Sequence, residues 1–397
     1  MNIIYISSAC HIRNKEEIDI TAKRRLEYSG IKFHNLLIKG LKKNGVSITS
    51  IIGLPISITT NKKIIWKRKK DIEDDINYIQ LPFINIPILK QFTIGINLIK
   101  EMKKIIKNDK KDIRIIVDGA YISILPFLKQ VIKKYKVKTY FIFADIYSYM
   151  ADVENGTQKK IINKYIKKYV KKIYENASGY IFLTEQMNKL INHHKKPFVI
   201  IEGLVDFQDN YLNQNKIEKK NSIMYAGKLS EKFGIKKMIE AFDKIEDEHI
   251  ELWIYGFGEM KNYVESISKK NSRIKFFGEV SNEIILQKEK QTKILINPRP
   301  TNEEYTKYSF PSKNMEYMLS GTPLITTKLP GMPEEYYKYV YLIENEDIDG
   351  IKNTIEITIK KSEDELLKKG MSARKFVLNK KNNYIQAKKI LEMMDIQ

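Results

Sequence analysis

Short runs of β-branched and aromatic residues alternate with longer stretches of helical periodicity along the whole chain. In the first half the runs are "NIIYIS", "VSITSIIGLP", "RIIVDG", "KTYFIFAD" and "GYIFLTE"; in the second they are "SIMYAG", "IELWIYG", "RIKFFGE", "ILINPRP", "PLITTK" and "VYLIE". Apolar runs this short, each followed by a helix, are the pattern of βα units on parallel sheets. Between the two series lies "EGLVDFQDNYLNQNKIEKKN", residues 203–222, polar, rich in Asn and Lys and without apolar period, which marks an interdomain linker. A chain of 397 residues exceeds one ordinary core and fits two domains.

Apolar content of 43% and charged content of 30% argue against wholesale disorder and against a membrane bundle. The single cysteine, Cys10, excludes an intramolecular disulfide framework and a multi-Cys zinc site, so a reducing compartment, the cytoplasm, is expected. "MNIIYISSAC" has no basic region before it and reads as a first strand rather than a signal peptide. Nothing reads as a membrane span; residues 82–100 come nearest, but Lys90, two prolines and the asparagines weaken them.

The net charge of +22 is unevenly placed: residues 1–200 hold 38 Lys and Arg against 17 Asp and Glu, and the remainder is close to neutral. A lysine-rich genome would have charged both halves alike. The first half is therefore expected to face something anionic, such as a membrane leaflet, a phosphorylated lipid or a nucleic acid. Residues 82–111 mix large apolar side chains with a lysine cluster, as an interfacial segment does; 159–177 repeat Ile, Tyr and Val at helical spacing, more in keeping with a core-facing helix.

Residues 308–327, "YSFPSKNMEYMLSGTPLITT", read as a short helix between strands, with Pro311 in the first turn, Ser312 as its cap and Gly321 as its left-handed stop. The first N–H groups, around Lys313 and Asn314, form an anion site suited to a phosphate. Glu316 lies too far along to close a capping box with Ser312. It is placed to accept the hydroxyls of a ribose, or to pair with Lys313 at i, i+3, and the residues alone leave both readings open.

The stretches "IMYAGKLSEKFGIKKMIEAF" (223–242), "LWIYGFGEM" (252–260), "IKFFGEV" (274–280), "ILINPRP" (294–300) and "YSFPSKNMEYMLSGTPLITTKLPGMPEEY" (308–336) together resemble, in order and spacing, the C-terminal half of the family 4 retaining glycosyltransferases of the GT-B type, especially bacterial members from surface-polysaccharide gene clusters. The first half resembles them in strand pattern only. The resemblance implies an α/β fold of two Rossmann-like, doubly wound domains facing each other across a cleft. On that basis residues 1–203 form a basic acceptor-binding domain, 204–380 a nucleotide-sugar-binding domain, and 381–397 a terminal helix that packs back on the first domain.

The same resemblance assigns the donor site. Gly227 and Lys228 of "GKLSEKFG" correspond to the phosphate loop; the family's second lysine falls on Phe233, which leaves Lys232 one position off. Gly256 belongs to a GxG after a strand, Glu279 and Val280 meet the base, and Arg299, at a strand's C-terminal end, clamps a phosphate or a sugar hydroxyl. Ser312, Lys313 and Glu316 complete the donor contacts. The family's first acid of E-x7-E falls on Tyr308, so Tyr308 or the nearby Glu303 and Glu304 take its place. The family's His-Asp pair is Ala144-Asp145 here, and Asp145 either orients a hydroxyl, receives the acceptor's proton or caps the next helix. With no glycine after the first strand, His11 and Arg13 are further candidates for phosphate or acceptor.

Asp145, Lys228 and Glu316 are thus the expected catalytic residues of a retaining glycosyltransferase that needs neither metal nor cofactor beyond its nucleotide sugar, UDP-linked rather than GDP-linked. The implied acceptor is a lipid-linked saccharide in capsule, O-antigen or exopolysaccharide assembly. The implied location is the cytoplasmic face of the cell membrane, held through the basic half, with no nucleic acid partner, since no recognised binding motif accompanies the charge. A nucleotide-sugar 2-epimerase of the same architecture, or a basic binding protein without catalysis, are the alternative readings.

Overall fold

A computed structural model describes residues 1–9, 11–23, 29–108, 112–146, 164–207 and 218–395, with backbone only for Ile12, Arg13, Ile166 and Lys167. Cys10, residues 208–217 of the linker and the first part of segment 159–177 lie outside the described residues. The chain divides into two compact units, Met1–Leu204 with Asn383–Gln397, and Val205–Asn382.

The first unit runs β1 (Asn2–Ser7), α1 (Ile12–Thr21), α2 (Ser29–Lys43), β2 (Ser47–Ile52), β3 (Ile65–Trp66), β4 (Lys69–Glu73), β5 (Ile76–Gln80), β6 (Phe83–Ile84), α3 (Leu89–Asn108), β7 (Ile113–Asp118), α4 (Leu125–Tyr135), β8 (Lys138–Phe143), α5 (Lys171–Glu175), β9 (Gly179–Phe182), α6 (Glu185–Ile191) and β10 (Phe198–Ile200). Its main sheet has the order β10-β9-β8-β7-β1-β2-β5-β4. All pairs are parallel except β4 with β5, and β3 and β6 form a separate antiparallel ladder. Ile3, Ile4, Ile115, Ile116, Phe141 and Ile142 in the central strands are fully buried, which is why these segments read as continuous apolar runs.

The second unit runs β11 (Lys220–Ala226), α7 (Ile235–Asp243), β12 (Glu251–Tyr255), α8 (Lys261–Lys270), β13 (Ile274–Gly278), α9 (Asn282–Gln291), β14 (Thr292–Asn297), α10 (Ser312–Ser320), β15 (Leu324–Thr327), β16 (Tyr341–Ile343), α11 (Ile348–Ile359) and α12 (Glu363–Lys380). Its sheet is wholly parallel in the order β13-β12-β11-β14-β15-β16. Taken in chain order these are strands 3-2-1-4-5-6, the doubly wound arrangement whose ligands bind beyond the carboxyl ends of the strands, where the order reverses. That switch point lies between β11 and β14. Ile223, Ile254, Ile294, Ile296 and Ile325 build the core beneath it.

Lys381 and Asn382 separate α12 from α13 (Asn383–Asp395), which belongs to the first unit. There Asn383 Nδ2 donates to the Leu36 carbonyl (3.1 Å), Gln386 Nε2 to the Gly203 carbonyl (2.9 Å), and Arg114 pairs with Asp395 (3.0 Å).

Candidate functional site

Gly227, Lys228 and Lys232 follow the carboxyl end of β11, and Arg299 follows that of β14. β11 stops at Ala226, and the loop that follows interlocks with the end of β12: Gly227 N–H donates to the Tyr255 carbonyl (3.0 Å) and Leu229 N–H to that of Phe257 (2.7 Å). Gly256, with φ +136°, fits because a β-carbon there would lie 1.8 Å from the Gly227 carbonyl oxygen. The two loops can approach only without a side chain at that point. Lys228 is half-buried, its carbonyl accepting from the Tyr225 hydroxyl (2.9 Å), and Lys232 is exposed in the turn that follows. Glu259 feels the Lys228 charge: burial would raise its pKa, but the Ser230 hydroxyl (2.5 Å), backbone N–H groups and Lys228 hold it below the usual carboxylate range.

Arg299, two residues past β14, is held by aromatic faces. Its guanidinium lies 4.5 Å from the centroid of Phe233 and 5.8 Å from that of Tyr305, and the Tyr305 hydroxyl donates to the Lys232 carbonyl (3.0 Å). Burial pushes the Tyr305 phenol up to about 12, against the opposing pull of Arg299. Phe233, in the place where the family resemblance expects a lysine, thus supports a cation brought from another strand. Tyr225 registers the same charge, which lowers a phenol pKa that burial otherwise raises far more.

Helix α10 begins at Ser312. The capping position is Pro311, in extended conformation (φ −67°, ψ 111°) and with no side-chain cap, which corrects the reading of Ser312 as the cap. Proline at that position has no hydroxyl to offer, and the exposed Ser312 is already the first helical residue. Gly321 closes the helix at φ +78°. Two buried side chains set its position. The Tyr317 hydroxyl accepts from Ala226 N–H (2.8 Å) and donates to the Ala226 carbonyl (3.2 Å), latching the helix to the last residue of β11. Asn314 Oδ1 accepts from Asn297 Nδ2 (2.6 Å), which ties the first turn to the last residue of β14. Glu316 is paired with Lys313 at 2.7 Å, and Lys313 also lies 4.0 Å from the fully buried Glu289 of α9. Desolvation would lower the Lys313 pKa, but the Glu316 and Glu289 carboxylates outweigh it and hold it above the ordinary lysine value.

The other singled-out residues are more scattered. Glu279 is exposed and Val280 half-buried just past β13, and Tyr308 ends a 3-10 turn spanning Glu304–Tyr308. Asp145 lies in the first unit, two residues past β8. His11 is buried against Tyr78, with Glu73 at 3.0 Å and Asp71 at 4.0 Å, so its ring is engaged with β4. The Arg13 side chain lies outside the described residues. Among the described residues no cluster of three or more His, Cys, Asp or Glu is arranged to hold a metal ion. Tyr317, Asn297, Tyr305 and Glu289 are not among the residues singled out from the sequence, and Asn314 is there for its backbone N–H alone. Only Tyr317 carried a signal, its place beside Glu316.

Residues 207–375 match the family described as Glycosyl transferases group 1, a likeness that lies in the second unit. No curated protein matches the chain by sequence. Solved structures with a similar fold include sucrose-phosphate synthase from Thermosynechococcus elongatus, with a TM-score of 0.67, 15% identity and 100% of this chain against 98% of that one. Anabaena HepE in complex with UDP aligns at a TM-score of 0.65 with 12% identity over 100% of both chains. The lipopolysaccharide outer core galactosyltransferase WaaB aligns at 0.61 with 14% identity over 100% of this chain and 99% of that one. The fold is therefore α/β with two Rossmann-like units, as in GT-B glycosyltransferases.

Proposed function

We propose that the chain is a glycosyltransferase that binds a nucleotide sugar, UDP-linked rather than GDP-linked, in its second unit. It moves the sugar, with retained anomeric configuration, to a lipid-linked saccharide during capsule, O-antigen or exopolysaccharide assembly. The observation that carries this reading is the pair of hydrogen bonds between Tyr317 and Ala226, which joins the helix bearing Glu316 to the loop bearing Gly227 and Lys228. The fold shared with HepE, which binds UDP, supports the choice of donor, and the fold shared with WaaB, a lipopolysaccharide galactosyltransferase, supports polysaccharide work.

In this reading the donor diphosphate lies on the Gly227–Lys228 loop, with Arg299 and the first N–H groups of α10 sharing its charge and Lys232 at the rim. Glu316 takes the ribose hydroxyls, Gly256 lets the loop after β12 close on the Gly227–Lys228 loop that holds the donor, and the backbone at Glu279 and Val280 meets the base. Tyr308 stands in for the family's first acid. Cations fixed in this way offset the charge that builds on the departing nucleoside diphosphate, so the reaction as proposed requires no metal. The leaving phosphate helps deprotonate the incoming hydroxyl on the same face of the sugar, and Asp145 is the group assigned to an acceptor hydroxyl. Incubating the protein with donor and acceptor and reading the product's anomeric coupling by NMR tests the reaction. Retained configuration is expected; inversion, or an epimer formed from donor alone, contradicts it.

The membrane side of the proposal is supported by α3. Ile88, just before the helix, and Phe92 and Ile96 within it recur every fourth residue at 72%, 55% and 45% exposure, and exposed Lys100 and Lys104 follow at the same spacing. Ile88 has φ +68°, a costly backbone state for a β-branched residue that presents its side chain to solvent. An apolar end followed by lysines suits shallow insertion into an anionic leaflet on the cytoplasmic side. No helix among the described residues is long and apolar enough to cross a membrane.

A further inference from the structure

We propose that Glu289 is a positioning residue for the Glu316 carboxylate, acting through Lys313. The inference rests on the reading of Glu316 as the ribose ligand. Glu289 sits in α9 with no exposed surface, and its helix is held to the turn after α10 by the Thr322 hydroxyl, which donates to the Glu289 carbonyl (2.7 Å). A carboxylate buried this deeply costs several kcal/mol unless a cation offsets it. Lys313, 4.0 Å away, supplies such a charge.

An i, i+3 pair on an open helix contributes about 0.2–0.5 kcal/mol and leaves both side chains free to change rotamer. The pair between Lys313 and Glu316 differs, because the same ammonium also faces the interior acid. Were Lys313 to swing outward, Glu289 would lose the positive charge 4.0 Å from its carboxylate in a low-dielectric setting, which draws the lysine inward. Glu316, 2.7 Å from that ammonium, has its carboxylate orientation set by a fixed neighbour. With two acids beside it, Lys313 spends its charge on Glu316 and Glu289, and the anion site at the start of α10 rests on backbone N–H groups. The raised Lys313 pKa fits this division of labour.

A role through Glu316 predicts an effect only on ligands that carry the ribose hydroxyls. Isothermal titration of UDP and of 2′,3′-dideoxyuridine diphosphate into the full chain, its Glu289→Gln variant and its Glu316→Gln variant reads this directly. The wild-type protein is expected to prefer UDP, and each variant to lose about tenfold in UDP affinity, the scale of a hydrogen bond to a charged group, with dideoxy affinity unchanged. Equal weakening of both ligands by Glu289→Gln, or of neither, overturns the positioning role. If the wild-type protein binds both ligands equally, the ribose reading of Glu316 fails; if it binds neither, the donor site itself fails. Should Glu289→Gln not fold, Lys313→Met breaks the same link and is read by the same two affinities.

Discussion

The Tyr317 hydroxyl is buried and serves Ala226 as both acceptor and donor, at 2.8 and 3.2 Å. Tyr317→Phe would leave a buried N–H unsatisfied at the end of β11, which costs about 1–3 kcal/mol. Urea denaturation should show that loss, and unchanged stability would contradict the latch. Arg299→Lys keeps the charge but loses the planar stack on Phe233 and the forked donors, so UDP affinity should fall about tenfold while the melting temperature barely moves. Equal UDP affinity would remove Arg299 from the diphosphate site. Gly227, Lys228 and Glu316 were legible in the sequence because loop and helix wording carries them. The partners of Tyr317 and Arg299 were not, since Ala226 is 91 positions from Tyr317 and contributes only backbone, and Phe233 is 66 positions from Arg299 and looks like an ordinary core residue.

At the scale of elements, every β-branched run named from the sequence is a strand; the central ones read as unbroken apolar runs because parallel strands there bury both faces. The strands that escaped notice are β3 to β6 and β10. β4, "KKDIE", is a charged edge strand whose residues alternate between half-buried and exposed, so it leaves no apolar signal. The start of α10 was misplaced by one residue because Ser312 has the chemistry of a cap while Pro311 holds the position. Lys90, at the start of α3, offers a test of this packing. Its ammonium donates to the carbonyls of Leu54 (2.9 Å) and Ile56, and burial lowers its pKa to about 8. The unfolded chain keeps that proton until about pH 10.4, so between about pH 8 and that value the unfolded state binds more protons and this lysine makes stability rise with pH. The stability of wild type minus that of Lys90→Met should therefore increase from about pH 7.5 to 9.5, and a flat difference would show Lys90 to be solvated.

For the whole molecule, the charge of +22, concentrated in the first 200 residues, and the exposed stripe of α3 predict cosedimentation with vesicles of anionic lipid at low salt. Phe92→Asp should abolish most of it while leaving UDP affinity intact; no preference for anionic over neutral vesicles would remove the membrane from the account. The charge asymmetry was readable from composition, whereas the exposure of Ile88, Phe92 and Ile96 needed the fold to show which face of the helix packs inward. The central claim is that a nucleoside diphosphate binds at the carboxyl ends of the second unit's strands. Isothermal titration of UDP into the full chain beside Glu316→Ala and Lys228→Ala tests it most directly: the account predicts saturable one-site binding, weakened about tenfold or more by each substitution. Absence of binding, or variants that bind as the wild type does, would contradict it.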